Sequence, residues 1–263
     1  MSRVSVNRSW RSFVLGSAGV ATFLALLEFI PDRHVIDPEY LPPTSVIFSS
    51  LWSLVHGEVF WSALGNTLLT WGAGLAIVTV SGGVLGTLVG SVPLLRNVTN
   101  STVEFLRPIP SVALVPVVIL LLGTGRAATL LLVVYASFWQ IYIQVIYGVH
   151  EVDPVARDTA AVYHFGTGRI VRDLIWPTVL PYAMTGFRLA AAVALMLTIT
   201  GELLIGTDGL GRSIVLAESG GDVPTMYALI FVTGILGLLV NLVVRRFERW
   251  ALRWHVSVRS ELA

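Results

Sequence analysis

The sequence predicts an all-α integral membrane protein with about six transmembrane helices, and composition, segment length and charge placement each point that way. Of the 263 residues, 55% are hydrophobic and 13% charged, an apolar excess well beyond that of a soluble domain of this size. The excess is gathered into stretches close to the roughly 20 residues that cross about 30 Å of hydrocarbon. Basic residues concentrate on one side of those stretches.

The expected spans run from Arg11 to Ile30, Trp61 to Val92, Pro108 to Gly123, Ala127 to Val149, Tyr182 to Ile205 and Met226 to Val244. Arg3, Arg8 and Arg11 precede the first, as in a secretory signal. Glu28 interrupts its end and no small-x-small cleavage site precedes Pro31, so a retained helix is expected. Placing the N-terminus in the cytoplasm leaves only Arg33, Arg126 and Arg212 outside; the other arginines fall inside or at inner helix ends. The positive-inside rule therefore puts both termini in the cytoplasm of a multi-pass protein. Residues 32–60 then lie outside, where Val46, Phe48, Leu51, Trp52 and Val55 read either as a short interfacial helix or as part of an ordinary loop.

Within the second span, Gly82, Gly86 and Gly90 recur at four-residue spacing, which marks a face for close helix packing. Pro108, Pro110 and Pro116 predict a kinked or broken start to the third span. Gln140 and Gln144 share a face of the fourth, either lining a solute pathway or bonding to another helix. Trp139 and Trp176 read as interfacial anchors. Glu202, near the outer end of the fifth span, reads as a gate, as a helix-pairing contact, or as a hydrated interfacial carboxylate.

Chemistry is bounded by what the sequence lacks. It contains no lysine and no cysteine, so it can build neither the lysine-bearing P-loop that grips nucleotide phosphates nor a thiolate metal site. Its five histidines, at 34, 56, 150, 164 and 255, are scattered. No catalytic grouping and no metal site stands out, as expected of a chain that is not an enzyme and carries no cofactor.

The longest inner connection, residues 150–181, is the most informative segment. Asp153 can cap a helix that has Pro154 at its first position and runs to about Tyr163. Gly166 and Gly168 then supply a turn, and Ile170, Val171, Leu174 and Ile175 follow at helical spacing as a second, amphipathic helix.

This stretch resembles the EAA loop of ABC-importer permeases, the coupling helix that docks on the ATPase. Counting back from Trp176-Pro177 and Leu180-Pro181, the Glu-Ala-Ala positions fall on Asp158, Thr159 and Ala160, followed by Ala161. The glycine position falls on His164, beside Phe165 and with Gly166 two residues later, so the glycine is displaced or lost. Leu41-Pro42-Pro43, Arg107-Pro108-Ile109-Pro110-Ser111 and Gly201 to Gly211 resemble the family's other landmarks, in order along nearly the whole chain. The chain is similar to the subgroup that moves nitrate, taurine, aliphatic sulfonates or bicarbonate; thiamine-precursor permeases share much of the pattern.

The resemblance implies a type I ABC importer fold over residues 1–263, in the bacterial inner membrane, moving a small solute inward by alternating access. It implies ATP and Mg on two separate ATPase subunits, a second permease subunit, either identical or a pseudo-symmetric counterpart, and an extracytoplasmic solute-binding protein, with membrane lipid around the chain and no nucleic acid. Asp158, Thr159, Ala160, Ala161, His164, Phe165 and Gly166 would couple to the ATPase. An ion-coupled secondary transporter is the alternative, and would be expected to show internal repeats and more buried carboxylates.

Overall fold

The computed structural model describes residues 14–254 apart from 17, 20, 21, 23, 30, 32–36 and 38. Every described element is a helix: α1 (Thr44–Val55), α2 (Glu58–Ser91), α3 (Pro93–Leu106), α4 (Val115–Leu122), α5 (Arg126–His150), α6 (Pro154–Val162), α7 (Thr167–Ile170), α8 (Trp176–Ile205), α9 (Leu210–Ser219) and α10 (Val223–Ala251). The chain divides into two compact units, one of residues 1–61 with 213–232 and one of residues 62–212 with 233–263.

In the first unit, the expected span from Arg11 to Ile30 lies in part outside the described residues, as do Arg3, Arg8, Arg33, His34, His255 and Arg259; its described positions are helical. The segment after Leu41-Pro42-Pro43 is a helix rather than a loop. Its start is capped from a distance, because the Glu28 carboxylate accepts from the Ser45 amide at 2.9 Å and from the Ser45 hydroxyl at 2.8 Å. An acidic group at a helix N-terminus satisfies orphan amides and meets the positive end of the helix dipole. Trp52 is 72% exposed on α1, as an interfacial aromatic would be. Phe48 meets Phe231 edge to face, with ring centroids 5.6 Å apart.

In the second unit, α2 packs along α5 with the same chain direction. The glycine stripe is the contact: a Cβ added at Gly82, Gly86 or Gly90 would lie 3.1, 2.9 or 3.0 Å from the β-carbon of Ile141, Val145 or Val149. Small residues at this spacing let two backbones approach where lipid supplies no hydrophobic drive between helices. α8 packs antiparallel on α5 by the same means and also meets α2, where the Trp71 indole donates to the Ala191 carbonyl at 2.9 Å. Gly148 faces Val179 and Tyr182, Gly186 faces Gln140, Ile141 and Gln144, and Gly201 faces Thr129.

Among the described residues, four helices are long and apolar enough to span, or five if the bent pair of 93–106 and 111–122 is one span. The predicted third span is broken more deeply than its prolines alone suggested. A 3-10 turn at Ser111–Leu114 precedes an α4 of only 8 residues, about 12 Å long, and the pair bends by 83°. The second helix predicted after Gly166 is not a separate element. Thr167–Ile170 passes through a π turn at Val171–Ile175 directly into α8. The cause is local: Pro177 has no amide and its ring crowds the Asp173 carbonyl, and a wider turn relieves both demands. Trp139 is a further correction. It sits in the middle of α5 rather than at an interface, its ring against Tyr135, Phe138 and Tyr142.

Candidate functional site

The segment that follows α5 is a short helix, α6, fixed at both ends. At its start the Asp153 side chain accepts from the Val155 amide at 2.8 Å, and Pro154 occupies the first turn where no amide partner is lost. At its end the Phe165 amide donates to the Ala160 carbonyl at 2.9 Å, and the His164 amide to that of Ala161 at 3.0 Å. These two bonds form a Schellman closure, which requires the residue at its turning point to be left-handed. That residue is His164, at φ 53°, which no other non-glycine among the described residues shares in sign.

A left-handed backbone, which favours glycine, is thus held here by a histidine. Gly166 is not a displaced substitute, since its φ of −63° suits any residue. Phe165 follows with its ring under the Arg169 guanidinium, 4.4 Å from the centroid, and Arg169 pairs with Asp173 at 3.5 Å. Stacking and ion pair tie the turn to the helix that continues into α8.

Ala160 is 7% exposed and anchors α6 on its inner side. Asp158, Thr159, Ala161, His164 and Gly166 are exposed. Val155 and Val162 are 70% and 75% exposed and lie seven residues apart. Helical periodicity puts them on one outward stripe with Asp158 and Thr159. No cation pairs with Asp158 among the described residues. The stripe is thus apolar at both ends, acidic in the middle and unpartnered among the described residues, as a protein-docking face would be. Sequence reasoning singled out Asp158 and Thr159 but missed the two valines, whose signal was apolar residues on the exposed face of a nine-residue helix.

Gln140 and Gln144 are half-buried, and their backbone and β-carbon positions abut Gly186 of α8. At these atoms they lie in the α5–α8 contact. Glu202 lies at the other end of α8 from the coupling segment and is 1% exposed, so it is not a hydrated interfacial group. Its Oε2 accepts from the Thr67 hydroxyl at 3.0 Å and from the Gly211 amide at 2.9 Å. Thr67 in turn accepts from the Leu210 amide at 2.9 Å. Gly209 leaves room for this carboxylate, since a Cβ there would overlap its oxygens. Thr129 and Thr207 hydroxyls lie 2.7 Å apart beside it. The glycine-rich run after α8 is therefore folded back over Glu202 and tied to α2; Thr67 was not anticipated from sequence.

α8 joins the two places. Its 30 residues reach about 45 Å, with the exposed helix α6 and its turn near one end and the Glu202 turn at the other.

Residues 82–253 match the family described as the binding-protein-dependent transport system inner membrane component. The taurine transport system permease protein of Escherichia coli is 25% identical over 254 residues, covering 95% of this chain and 92% of that protein. The putative aliphatic sulfonates transport permease protein of Bacillus subtilis is 26% identical over 246 residues, covering 90% of this chain and 86% of that one. Among solved structures, a bacterial ABC transporter involved in the import of the acidic polysaccharide alginate superposes with a TM-score of 0.65 at 14% identity, over 92% of this chain and 98% of that chain.

Proposed function

Because the chain belongs to the family of binding-protein-dependent transport system inner membrane components, and is thus the membrane-spanning permease subunit of an ABC importer, we propose that α6 is its coupling helix. ATP hydrolysis resides in a separate subunit, and an extracytoplasmic solute-binding protein delivers the cargo. In this reading two ATPase subunits bind ATP and Mg and grip the Val155, Asp158, Thr159 and Val162 stripe of two permease copies, each a single functional domain. Both termini then lie on the cytoplasmic side with α6.

The observation that carries the proposal is the unpartnered stripe on a helix closed at both ends and continuous with α8. Docking energy enters through burial: covering Val155 and Val162 contributes about 1.5–3 kcal/mol each. A difference of only about 1.4 kcal/mol between open and closed ATPase shifts a two-state permease tenfold. The turn at His164 and the Arg169 stack keep that difference from being lost in local bending.

The substrate we infer is a small sulfonate anion, supported by the printed functions of the taurine and aliphatic sulfonate relatives. The test is reconstitution. The permease co-expressed with a cognate ATPase and binding protein should accumulate taurine in vesicles only with ATP and Mg, and the permease alone should hydrolyse none. Uptake driven by an ion gradient without ATP would contradict the proposal.

A further inference from the structure

The transport reading leaves unused a set of basic groups between α3 and the last turns of α5. On α3 and its C-terminal cap, Arg96, Asn100, Glu104 and Arg107 recur at three- and four-residue spacing and border a cavity of about 260 Å³ that Tyr147 and His150 line from α5. Leu94, Val98 and Phe105 occupy the opposite side of the same helix, 71%, 68% and 71% exposed. A helix lying on a water-facing protein surface would show the reverse arrangement. Polar groups that border the cavity while still exposed at its mouth, with apolar groups on the opposite side, suit a helix lying in a lipid interface. Its position agrees: α3 begins just after the spanning helix α2, and Gly90 packs on Val149, so α2 and α5 end level with each other. The cavity therefore opens at the membrane surface that carries α6.

Its charge is specific. The Arg96 Nη1 lies 3.1 Å from the His150 Nε2. Guanidinium only donates, so that nitrogen accepts and the imidazole is neutral. The Glu104 carboxylate accepts from the Asn100 amide at 3.0 Å. Two guanidinium groups and one carboxylate leave one net positive charge, which matches a monoanionic phosphodiester better than a dianionic phosphate. Arginine forks present paired donors to two phosphate oxygens, and basic pockets between spanning helices are suited to acidic headgroups.

We propose that this cavity binds the phosphodiester of an anionic phospholipid from the leaflet on the α6 side. The inference rests on α2 and α5 being spans and asks nothing of the ATPase contact, so loss of one leaves the other standing. The assembled transporter, exchanged into bilayers of equal phosphatidylglycerol and phosphatidylcholine, would be extracted and its retained lipid counted by native mass spectrometry. The wild type should favour phosphatidylglycerol about tenfold, and R96Q or R107Q should each cut that preference about fivefold. E104Q should raise it, a gain that general damage would not produce, and H150Q, which still offers Arg96 an acceptor, should keep it. Displacement of phosphatidylglycerol by millimolar inorganic phosphate would keep a phosphate site and overturn its lipid source. Equal retention of both lipids, or a preference indifferent to R96Q and R107Q, would overturn the site.

Discussion

The Thr67 hydroxyl donates to the Glu202 carboxylate across 3.0 Å while accepting from the Leu210 amide across 2.9 Å. One buried side chain thus joins α2, the end of α8 and the turn that follows it. Buried polar groups linked in this way hold one arrangement firmly, because breaking any member strands its partners.

Glu202→Ala should destabilise the assembled transporter by about 2 kcal/mol or more, since the Gly211 amide loses its acceptor and the Thr67 hydroxyl is left with only the Ala63 carbonyl, 3.2 Å away. Glu202→Gln keeps an oxygen for both donors and should stay within about 1 kcal/mol of the wild type. Thermal unfolding in detergent measures both. Uptake by the Gln variant is the discriminating readout. It should persist with ATP, whereas its loss from a stable protein would favour an ion-coupled carrier in which the carboxylate itself works.

Gly86→Ala should cost about 1–3 kcal/mol through overpacking, because the new methyl would lie 2.9 Å from the Tyr142 carbonyl oxygen and from the β-carbon of Val145. Gly83→Ala, three residues earlier with nothing within 4 Å, should be neutral or stabilising by up to about 1 kcal/mol. Equal effects at the two sites would contradict the packing of α2 on α5.

His164→Gly should stabilise the coupling segment by about 1 kcal/mol by removing the side chain from a left-handed turn. Gly166→Ala should change little. Hydrogen exchange at the Phe165 amide follows the closure directly; slower exchange in His164→Gly is expected, and damage from Gly166→Ala instead would place the turn where the structure does not.

Much of this was legible in the sequence because membrane helices advertise themselves. Span positions followed from apolar length, and the contact between α2 and α5 from three glycines at one spacing. The Asp153–Pro154 start of α6 was equally plain, since capping chemistry is local. What escaped detection depended on tertiary context. α3 is short and amphipathic, with its polar side bordering a cavity and its apolar side exposed, so neither length nor hydropathy marked it as a helix. The left-handed turn fell on a histidine, against residue preference, because two backbone bonds outweigh about 1–2 kcal/mol of local strain. Thr67 became visible as the partner of Glu202 only once the chain had brought residues 135 positions apart together.

The absence of cysteine from the sequence makes the docking face directly addressable. Val162→Cys introduces a single thiol on the exposed stripe of α6, and a bifunctional maleimide applied to the assembled transporter should join it to the ATPase subunit, with a yield that changes when ATP is added. In intact cells the same thiol should resist a membrane-impermeant maleimide. Labelling from outside the cell, or a thiol that reaches no other subunit in the complex, would contradict the assignment of α6 as the coupling helix.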